Sequence, residues 1–497
     1  MRIRIIGTGV MGRGIAQWAA TAGHIAELAD ARPEAVGEAV EFVGQLLDRA
    51  VTKGRMTAAE AEAVRGRLVP LDSVSAPGDQ GDQVDLVIEA VREDLDTKAE
   101  LFTALEKVLP PSTIFATNTS SIPVTRIAAK LADPSRLAGL HFFNPVPLMK
   151  IVEVVPGAAT RADIPGTLAE LVRASGHRAV VVADTPGFLV NHAGRGLVTE
   201  AFALLEDAVA EPVVLDRIAR DVLGLRMGPF ELMDLTGLDV TAAVMESIWT
   251  GFRYADRLRP SFLTPNRVAA GLLGRKSGRG FYDHSAEPPA EAPIAAAECP
   301  LWIAGSGPDA DALRAALPET PNHPEAVMLV PTWGTTVSAA IAEHGLPAER
   351  TFGVDPLSLN TRRRVLAVTP ASDPAAVRAA TGALAVHADA VSVVRDTPGS
   401  VAQRLLASIV SVAASIAERA LATPDDIDLA VTTALGYPAG PLAWGDRIGV
   451  GRLLDLQERL HEHTGDPRYR PTRWLRERAE LGLPLTAPAY PLEKGTP

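Results

Sequence analysis

The stretch IRIIGTGVMGRGIAQWAATAG, residues 3–23, carries the clearest structural signal in the chain. An apolar run typical of a buried strand leads into glycines at positions 7, 9 and 12, and an amphipathic helical pattern follows them. This G-x-G-x-x-G spacing permits a tight turn, a close approach of backbone to a pyrophosphate, and close packing of helix on strand. Because a second apolar run ends at Asp30, the context predicts a dinucleotide site.

Asp30 is placed to select the dinucleotide. It lies 21 residues after Gly9, where a carboxylate accepts hydrogen bonds from both hydroxyls of the adenosine ribose and repels a 2′-phosphate. NAD is therefore favoured over NADP, although Arg32 nearby argues for the phosphate. A turn of the same shape without any cofactor is the alternative. The NAD contacts predicted from this segment are Gly7, Gly9, Val10, Met11, Gly12 and Asp30.

Patterns along the whole chain predict an α/β plus all-α fold. The runs IRII, IAEL, VDLVIEA, TIFATN, LAGLHFF, IVEVV and HRAVVVAD alternate with helical patterns, which predicts a parallel sheet of βαβ units. Beyond them come a helical stretch, a Pro- and Ala-rich linker, and a second α/β and helical pair. The predicted domains are 1–184 (Rossmann-type, NAD-binding), 185–284 (helical), 285–298 (linker), 299–395 (degenerate, Rossmann-like) and 396–497 (second helical).

The tetrapeptide DTPG at 184–187 returns at 396–399, which indicates an internal repeat. Residues 184–240 align with 396–452 without a gap, and 17 of the 57 aligned positions are identical. Most identities are turn, cap or small-residue positions, as expected when a scaffold is copied and its chemistry is free to diverge. The chain is therefore interpreted as a tandem duplication of an α/β-plus-helical unit.

Composition and charge exclude some classes of function. The formal net charge of −12 argues against a nucleic-acid-binding protein, which would carry a basic face. The single cysteine, Cys299, excludes an internal disulfide and favours a reducing compartment. The N terminus lacks a signal-peptide pattern, and the apolar segment 405–417 is short and serine-rich for a membrane span. We therefore expect a cytoplasmic protein without a membrane partner, and no metal site is predicted.

The segment GLHFFNPVPLMKIVEVV, residues 139–155, places a histidine and a carboxylate on successive predicted strands. Strand ends are where open α/β sheets bind ligands, and a carboxylate in so apolar a strand is costly unless paired. We therefore expect Glu153 to hold the imidazole of His141 and raise its basicity. With a nicotinamide cofactor the pair predicts oxidation of a secondary alcohol; an ordinary packed histidine is the alternative.

Six segments together resemble the 3-hydroxyacyl-CoA dehydrogenase family, in its order and spacing over about residues 1–284. They are GTGVMGRGIAQWAATAGH, TNTSSIPVTRIA, GLHFFNPVPLMKIVEVV, DTPGFLVN, MGPFELMDLTGLD and LLGRKSGRGFYD. The tail segments LGYPAGPLAWGDRIG and RYRPTRWLRERA are similar to its tandem-repeat branch from bacterial phenylacetate degradation, the 3-hydroxyadipyl-CoA or 3-hydroxybutyryl-CoA dehydrogenase type. The resemblance implies NAD-dependent oxidation of (3S)-3-hydroxyacyl-CoA to 3-oxoacyl-CoA, with acyl-CoA as the small-molecule partner, in fatty-acid or phenylacetate-type degradation.

The resemblance also implies roles for matching residues. The implied catalytic residues are His141 as general base, Glu153 as its partner, Ser120 at the substrate's 3-oxygen and Asn191 beside the reacting carbonyl. The implied further NAD contacts are Glu93, Lys98, Asn118, Asn144 and Lys276, and the implied contacts with CoA phosphates are Lys53 and Arg55. The ordinary alternatives are helix-start roles for the serine and Asn191, a solvated helix face for the NAD contacts and an exposed basic pair for the CoA contacts.

Two departures from the family pattern are His192, where arginine is usual, and GLRMGPF at 224–230 in place of GYPMGPF. Both are expected near the substrate mouth, where they bear on acyl-chain preference more than on catalysis.

The second copy lacks the residues that the first is expected to use. Extending the repeat backwards gives Phe352 for His141, Asp355 for Asn144, Ala367 for Glu153 and Gln403 for Asn191. The glycine-rich IAGSGPDADAL at 303–313 carries two aspartates where phosphates would lie. We expect a cofactor-free second α/β domain, and a second helical domain that packs on the first as an internal pseudo-dimer. Whether the chain also forms a homo-oligomer stays open.

Two other functions stay open on the residues alone. A Rossmann-type β-hydroxy-acid dehydrogenase that does not use CoA would share the fold, and a non-catalytic nucleotide-binding structural protein would share the glycine loop. The intact catalytic set favours the acyl-CoA enzyme over both.

Overall fold

The computed structural model describes residues 1–76, 83–287, 290–320 and 323–490. Two compact units divide the chain: Met1–Val190 with Thr433–Leu435, and Asn191–Thr432 with Gly436–Pro497. Residues 288–289 of the predicted linker and 491–497 of the predicted last domain lie outside the described residues. The second unit contains most of both predicted helical regions and the second predicted sheet, while 185–190 and 433–435 belong to the first unit.

The first unit is a sheet with helices packed on it. Its strands are β1 Arg2–Ile6, β2 Ile25–Ala29, β3 Leu68–Pro70, β4 Leu86–Glu89, β5 Ile114–Thr117, β6 Leu137–Phe142, β7 Ile151–Pro156 and β8 Arg178–Val181. Its helices are α1 Val10–Thr21, α2 Pro33–Thr52, α3 Ala58–Arg65, α4 Leu95–Glu106, α5 Val124–Ala128 and α6 Asp163–Ala174. The seven strands predicted from sequence are all present, and the short β3 is an addition.

The first sheet has the order β3-β2-β1-β4-β5-β6-β7-β8. Neighbouring strands are parallel except β6 and β7, which are antiparallel. The prediction of a wholly parallel sheet is therefore wrong at its last two strands. The reason is the connection at 143–150, which contains no helix, whereas a parallel neighbour needs a long crossover. This reversal sets up the cross-strand geometry of the site.

Two arginines lie in β1, and β2 supplies the carboxylate that makes them tolerable. Arg4 and Glu27 are register partners, both are buried, and Arg4 Nε lies 2.8 Å from Glu27 Oε2. Arg2 Nη1 lies 2.9 Å from the other oxygen of the same carboxylate. Since buried charges persist when they are paired, β1 can run through the core and end directly at the glycine loop.

The second unit holds five strands between two groups of helices. Its strands are β9 Leu301–Ile303, β10 Val327–Pro331, β11 Thr351–Val354, β12 Arg363–Val368 and β13 Ala390–Arg395. The first helical region comprises α7 Val190–Ala193, which begins at the last residue of the first unit, α8 Arg195–Glu206, α9 Pro212–Asp221, α10 Pro229–Thr236, α11 Leu238–Gly251 and α12 Leu263–Ala269. The helices around the second sheet are α13 Pro308–Ala316, α14 Val337–His344 and α15 Pro374–Ala385. The second helical region comprises α16 Ser400–Glu418, α17 Pro424–Ala434, α18 Pro441–Ile448, α19 Val450–Thr464 and α20 Arg473–Leu481.

The second sheet repeats the strand reversal of the first. Its order is β13-β12-β11-β10-β9, and β11–β12 is the antiparallel pair. The aspartates of the two DTPG segments also make the same kind of contact, because each accepts backbone N–H groups at the start of a helix. Asp184 accepts the backbone N–H groups of Val124 and Thr125 at the start of α5, and Asp396 accepts those of Val337 and Ser338 at the start of α14. The DTPG turn is therefore a helix cap, which explains why it was copied with the fold.

Unusual backbone conformations recur at the repeat offset of 212 residues. The pairs with positive φ are Gly187 (74°) and Gly399 (70°), Phe188 (48°) and Ser400 (52°), Ala208 (53°) and Ala420 (51°), and Gly237 (96°) and Gly449 (99°). Non-glycine residues rarely adopt this region, so matched pairs of them are strong structural support for a duplication.

Helix α8 packs closely against α16. A Cβ on Gly196 of α8 would lie 2.7 Å from Ile409 Cα, so this glycine permits the approach of the two backbones. Helix α16 extends beyond the apolar segment 405–417 at both ends. It is long and apolar enough to cross a membrane, so the expectation that this segment is too short for a membrane span is wrong. However, 94% of that stretch is buried inside the protein, as in the core helix of a globular domain.

The contact between the helical regions is reciprocal. A Cβ on Gly224 would lie 3.8 Å from Pro438, and a Cβ on Gly436 would lie 3.7 Å from Arg226. Gly224 and Gly436 occupy the same repeat position, and so do Arg226 and Pro438, so each copy makes the same contact with the other. Arg257 donates to Ser411 Oγ, and Arg468 donates to the carbonyl of Thr199, which occupies the matching repeat position. Contacts that exchange in this way are what a two-fold relation between two copies produces.

One half of this interface is ionic. Arg404 Nε lies 2.7 Å from Glu200 Oε1, its Nη1 lies 2.8 Å from Asp207 Oδ2, and the Tyr469 hydroxyl donates to Glu200 at 2.6 Å. Arg404 and Glu200 are both buried. The cluster joins the two helical regions through a buried ion pair.

The other half has lost this cluster. At the offset of 212, His192 stands for Arg404, Val412 for Glu200 and Arg419 for Asp207. His192 is buried against the ring of Phe252 at 4.5 Å, and neither ring nitrogen has a partner among the described residues. Burial, with added repulsion from Arg419 and Arg195, lowers the pKa of His192 to about 3. A neutral imidazole therefore replaces the usual arginine where no carboxylate remains to pair with it.

We expect Arg404→Leu to destabilise the protein far more than His192→Leu. Removing Arg404 leaves Glu200 buried without its cation, a change that costs about 3–5 kcal/mol. Removing the unpartnered imidazole of His192 costs about 1 kcal/mol or less, because no hydrogen bond is lost. Urea unfolding of the two variants and the intact protein, followed by circular dichroism, measures the difference. Equal losses in both variants would contradict the one-sided cluster.

Candidate active site

The three glycines of the first loop have the geometry that a dinucleotide turn needs. Gly7 has φ +91°, and a Cβ there would lie 2.5 Å from the carbonyl oxygen of Ala90. A Cβ on Gly12 would lie 1.7 Å from the carbonyl oxygen of Gly7. Gly9, which precedes α1, has no atom within 4 Å of its Cβ position, so a pyrophosphate has room to approach the helix N terminus. The predicted use of each glycine therefore agrees with the packing around it.

Asp30 lies at the end of β2 beside a cavity of about 340 Å³. Its Oδ2 accepts the N–H of Thr8 at 2.7 Å, and its Oδ1 accepts the N–H of Arg32 at 3.0 Å. Burial opposes the charge, but these hydrogen bonds outweigh it and lower the pKa of Asp30. The cavity is also lined by Ala31, Pro33, Val91, Thr97 and Leu101. Asp72 and Ser73 add polar groups to this lining, and a carboxylate beside partly apolar walls fits the ribose and adenine of NAD.

Glu93 anchors the loop that carries Ser120. Its Oε1 accepts the Thr119 hydroxyl at 2.6 Å and the backbone N–H groups of Ser120 and Ser121, each at 3.0 Å. Burial opposes the charge, but the Thr119 hydrogen bond and the charge of Lys98 lower the pKa of Glu93. The Ser120 hydroxyl is exposed and has no partner in the described part of the chain, so it is available to a ligand.

Lys98 belongs to a buried polar cluster that includes a residue missed by sequence reasoning. Its Nζ lies 2.6 Å from Glu89 Oε1 and 3.2 Å from Glu93 Oε2, and its side chain is 1% exposed. The solvated helix face considered for Lys98 is therefore wrong. Glu89 also accepts the Thr117 hydroxyl and the N–H of Val91, each at 2.7 Å. A glutamate closing the apolar run VDLVIEA could have been noticed by the reasoning applied to Glu153.

His141 and Glu153 are directly opposite each other on β6 and β7. His141 Nδ1 lies 2.6 Å from Glu153 Oε2, with the carboxylate fully buried and the imidazole 6% exposed. Glu153 Oε1 accepts the backbone N–H groups of Leu189 and Val190 at 3.0 and 2.8 Å. The antiparallel register thus creates the predicted pair, and the turn after DTPG satisfies the remaining carboxylate oxygen.

The imidazole of His141 is held on an apolar platform. Its ring lies 4.5 Å from the ring of Phe143 and 5.7 Å from that of Phe188. Its Nε2 has no hydrogen-bond partner among the residues that the structure describes. One nitrogen is therefore fixed by a carboxylate, and the other is free for chemistry.

Four other predicted residues lie in the first unit. Asn118 Oδ1 accepts the N–H of Phe142 at 2.8 Å, which ties the end of β5 to β6 beside His141. Asn144 is exposed and precedes a cis peptide bond to Pro145. Lys53 and Arg55 are exposed in the turn between α2 and α3, and neither side chain has a partner within the described ranges. Their predicted contacts with NAD and CoA remain predictions.

Asn191 and Lys276 belong to the second unit. The carbonyl of Asn191 accepts Arg195 Nε at 2.9 Å, and Lys276 Nζ forms an ion pair with Asp239. The hydrogen bond from Lys276, against a small effect of burial, lowers the pKa of Asp239. The catalytic and cofactor roles suggested for the two residues remain predictions. His192, expected near the substrate mouth, lies in the packing described between the helical regions.

The second copy has a different buried pair where the first has His141 and Glu153. Strand pairing relates Ile151↔Arg178 to Arg363↔Ala390 at the offset of 212, so Val365 and not Ala367 stands for Glu153. The misalignment came from matching Pro156 with Pro370, which lies beyond the end of β12. Asp355, not Phe352, is the residue opposite Val365, and its N–H donates to that carbonyl at 3.2 Å.

Gln403 serves this second copy as a structural residue. Its Nε2 donates to Asp355 Oδ1 at 2.9 Å, and its Oε1 accepts the N–H of Gly334 at 3.0 Å. Burial raises the pKa of Asp355 to about 6, against the hydrogen bond from Gln403. In the second glycine loop, Asp309 pairs with Arg452 at 2.6 Å. Gln403, Asp355 and Asp309 of the second copy are therefore each bound to another group of the protein.

Comparison with known proteins agrees with the fold. Residues 2–185 match the family model described as 3-hydroxyacyl-CoA dehydrogenase, NAD binding domain. Residues 187–284 and 399–487 match the model described as 3-hydroxyacyl-CoA dehydrogenase, C-terminal domain. The two C-terminal segments coincide with the two helical regions, as the predicted duplication requires.

Individual relatives give the same result. The 3-hydroxyadipyl-CoA dehydrogenase of Escherichia coli (strain K12) is 38% identical over 479 residues, covering 96% of this chain and 97% of that protein. The 3-hydroxybutyryl-CoA dehydrogenase of Clostridioides difficile is 36% identical over 288 residues, covering 57% of this chain and 100% of that protein. The crystal structure of 3-hydroxybutyryl-CoA dehydrogenase from Escherichia coli K12 superposes with a TM-score of 0.88 at 38% identity, covering 97% of this chain and 98% of that one.

A Rossmann-type domain with this glycine loop and an acidic residue after the second strand is typical of nicotinamide-dependent dehydrogenases. The chain belongs to the 3-hydroxyacyl-CoA dehydrogenase family. This membership confirms the predicted enzyme class and NAD as its cofactor.

Alanine substitutions at Gly9 and Gly12 are expected to separate cofactor binding from folding. Gly9→Ala meets open space, so the melting temperature should stay unchanged while the new methyl group keeps the pyrophosphate off the backbone. We expect NADH affinity to fall at least about tenfold, which is about 1.4 kcal/mol. Gly12→Ala forces a Cβ into the Gly7 carbonyl, so both stability and affinity should fall. Thermal unfolding and NADH fluorescence titration test this, and unchanged NADH affinity in Gly9→Ala would contradict it.

Proposed function

We propose that this chain oxidises the 3-hydroxyl of (3S)-3-hydroxyacyl-CoA esters to 3-oxoacyl-CoA, reversibly, with His141 as the general base. The observation that carries the proposal is the buried contact of 2.6 Å between His141 Nδ1 and Glu153 Oε2 at the end of the strand pair. The other ring nitrogen, Nε2, has no hydrogen-bond partner among the described residues, so it is available to a substrate hydroxyl.

Glu153 decides which nitrogen of His141 is the base. A carboxylate donates no hydrogen bond, so the hydrogen of the 2.6 Å contact belongs to Nδ1. The lone pair then lies on Nε2, which takes the proton of the substrate hydroxyl. The imidazolium that forms stays beside the charge of Glu153, which stabilises it. Because Leu189 and Val190 hold the other oxygen, the carboxylate cannot turn away.

NAD supplies the hydride acceptor when it is bound. Gly7, Gly9 and Gly12 would hold its pyrophosphate, and Asp30 would hold the adenosine ribose. Support comes from the open space at Gly9 and the cavity beside Asp30. The buried cluster of Glu89 and Lys98 would act indirectly, by fixing Glu93 and the loop that it anchors.

Ser120 would act on the substrate oxygen. Its hydroxyl has no internal partner among described residues, and its backbone is fixed by Glu93 at 3.0 Å. A fixed donor there would stabilise the negative charge that develops on the 3-oxygen during reduction. Lys53 and Arg55, exposed without partners in the described residues, are suited to the CoA phosphates.

We favour a dicarboxylic acyl-CoA of the 3-hydroxyadipyl type as substrate, in phenylacetate-type degradation. Support comes from the Escherichia coli 3-hydroxyadipyl-CoA dehydrogenase, which is similar over 96% of this chain. A short 3-hydroxybutyryl ester is the second candidate, supported by the name of the relative from Clostridioides difficile. A cytoplasmic location is supported by the single cysteine.

We expect His141→Gln to lower the rate of NADH oxidation by acetoacetyl-CoA by about 10²–10⁴-fold, the usual contribution of a general base. NADH affinity should stay unchanged, because glutamine preserves the packing between Phe143 and Phe188. Initial rates at 340 nm and NADH fluorescence titration provide the two readings.

The intact protein is the positive control, assayed also with 3-oxoadipyl-CoA as the dicarboxylic substrate. Equal activity of His141→Gln and the intact protein would contradict the base assignment. Absence of activity with both esters in the intact protein would contradict the proposed reaction.

We further propose that the two helical regions form an internal pseudo-dimer, replacing an interface that single-unit relatives obtain from another subunit. The reciprocal contacts of Gly224 and Gly436 support this arrangement. So does the burial of α16, which is covered along nearly its whole length.

Truncation after His284 is expected to expose the face of α8 that packs on α16. The uncovered apolar surface and the unpaired Glu200 should make the fragment aggregate or pair with a second copy. Size-exclusion chromatography with light scattering measures this, with the full chain as control. A monomeric truncated protein with full activity would contradict the pseudo-dimer.

A further inference from the structure

A cavity of about 310 Å³ lies within the second unit, between the turn at Asp256–Leu258 and the start of α20. Its charged lining residues are Asp256, Arg257, Glu418, Arg419, Arg470 and Arg473. Four guanidinium groups against two carboxylates give this wall a net charge of +2, in a chain whose net charge is −12. The catalytic residues do not account for this concentration of positive charge.

Three of these arginines lack a carboxylate partner. Within the described residues, no Asp or Glu oxygen lies within 4.0 Å of a guanidinium nitrogen of Arg257, Arg419 or Arg470. Glu418 lines the same cavity, but its Oε2 accepts the backbone N–H of Trp474 at 2.9 Å. Arg473 differs from the three, because it pairs with Glu477 at 3.5 Å.

Arg257 is held in place before any ligand arrives. Its Nε donates to Ser411 Oγ at 2.8 Å and its Nη2 donates to the carbonyl of Arg470 at 2.5 Å, which leaves Nη1 without a partner among described residues. Burial lowers the pKa of Arg257 to about 10; Glu418 opposes this shift, whereas Arg419 and Arg470 add to it. The guanidinium groups thus repel one another, and an anion between them would relieve the repulsion.

The duplication explains how the cavity came to be cationic. Across the interface Arg468, the middle residue of the turn Pro467–Tyr469 as Arg257 is of the turn Asp256–Leu258, lies 3.8 Å from Glu200. On the cavity side the repeat position of Glu200 is Val412, and that of Asp207 is Arg419. This side therefore has an apolar residue in place of one carboxylate and a cation in place of the other.

We infer that this cavity binds a phosphate group, whose charge of about −1.5 to −2 at pH 7 matches the +2 of the wall. Guanidinium groups recognise phosphate through paired N–H donors, and several converge here from both helical regions. The ligand bridges the two regions and stabilises their contact. Its source is either free inorganic phosphate or the phosphate of a nucleotide such as the adenosine 3′,5′-bisphosphate portion of CoA.

The test uses the full-length protein with saturating NADH, so that the dinucleotide loop is already occupied. Inorganic phosphate and adenosine 3′,5′-bisphosphate are titrated separately by calorimetry at constant ionic strength, in a Lys53→Gln/Arg55→Gln background that removes the predicted CoA contacts. The cavity variant is Arg419→Gln/Arg470→Gln, which changes two exposed side chains and leaves Arg257 in place. The control variant is Arg459→Gln/Arg476→Gln, with the same charge change on exposed positions outside the cavity.

We expect at least one probe to bind the control variant and to bind the cavity variant at least tenfold more weakly. Tighter binding of the bisphosphate than of phosphate identifies a nucleotide as the source, and equal binding identifies free phosphate. Equal affinity in the cavity and control variants overturns the inference, and so does failure of both probes to bind the control. The catalytic assay is a separate reading, so failure here is distinguishable from failure of the proposed reaction.

Discussion

The reversal between β6 and β7 is the constraint on which the candidate site depends. Since the connection at 143–150 has no crossover helix, the two strands must run antiparallel, and their register brings His141 opposite Glu153. A parallel pairing would have left the carboxylate buried without a partner, at a cost of several kcal/mol. The N–H groups of Leu189 and Val190 then satisfy its second oxygen. Strand topology therefore fixes the position of the imidazole against the carboxylate.

The same topology occurs in the second copy with different chemistry. The β11–β12 reversal is kept, and the cap made by Asp396 is kept, because both hold the backbone in place. The positions of the His–Glu pair are filled by Asp355 and Val365, and Gln403 binds Asp355 directly. The second copy has Gln403 at the position of Asn191. This glutamine joins Asp355 to the backbone of Gly334 in an internal hydrogen-bond network. The two copies therefore share the contacts that hold the backbone and differ in the buried polar residues at the strand reversal.

Much of the first unit could be predicted from sequence because its signals are local. The glycine spacing, Asp30 at a strand end and the alternation of strands and helices each depend on neighbours in the chain. The buried state of Lys98 could not be predicted, since a helix position near two glutamates is compatible with either solvent or core. The ion pair between Arg404 and Glu200 joins residues that are far apart in the chain, so no local sequence pattern could predict it. The sequence alignment placed Ala367 opposite Glu153 because it matched Pro156 with Pro370, whereas strand pairing gives Val365.

Duplication within one chain allows an asymmetry that a homodimer cannot have. In a symmetric dimer a substitution changes both halves of the interface, so losing Glu200 or its arginine would remove both ionic clusters at once. In this chain the Arg404 cluster holds one half, which leaves the other half free to accept His192, Val412 and Arg419. The buried neutral imidazole and the cationic cavity are two consequences of that freedom. Because the first half secures the contact, the second can acquire a binding function without loss of the fold.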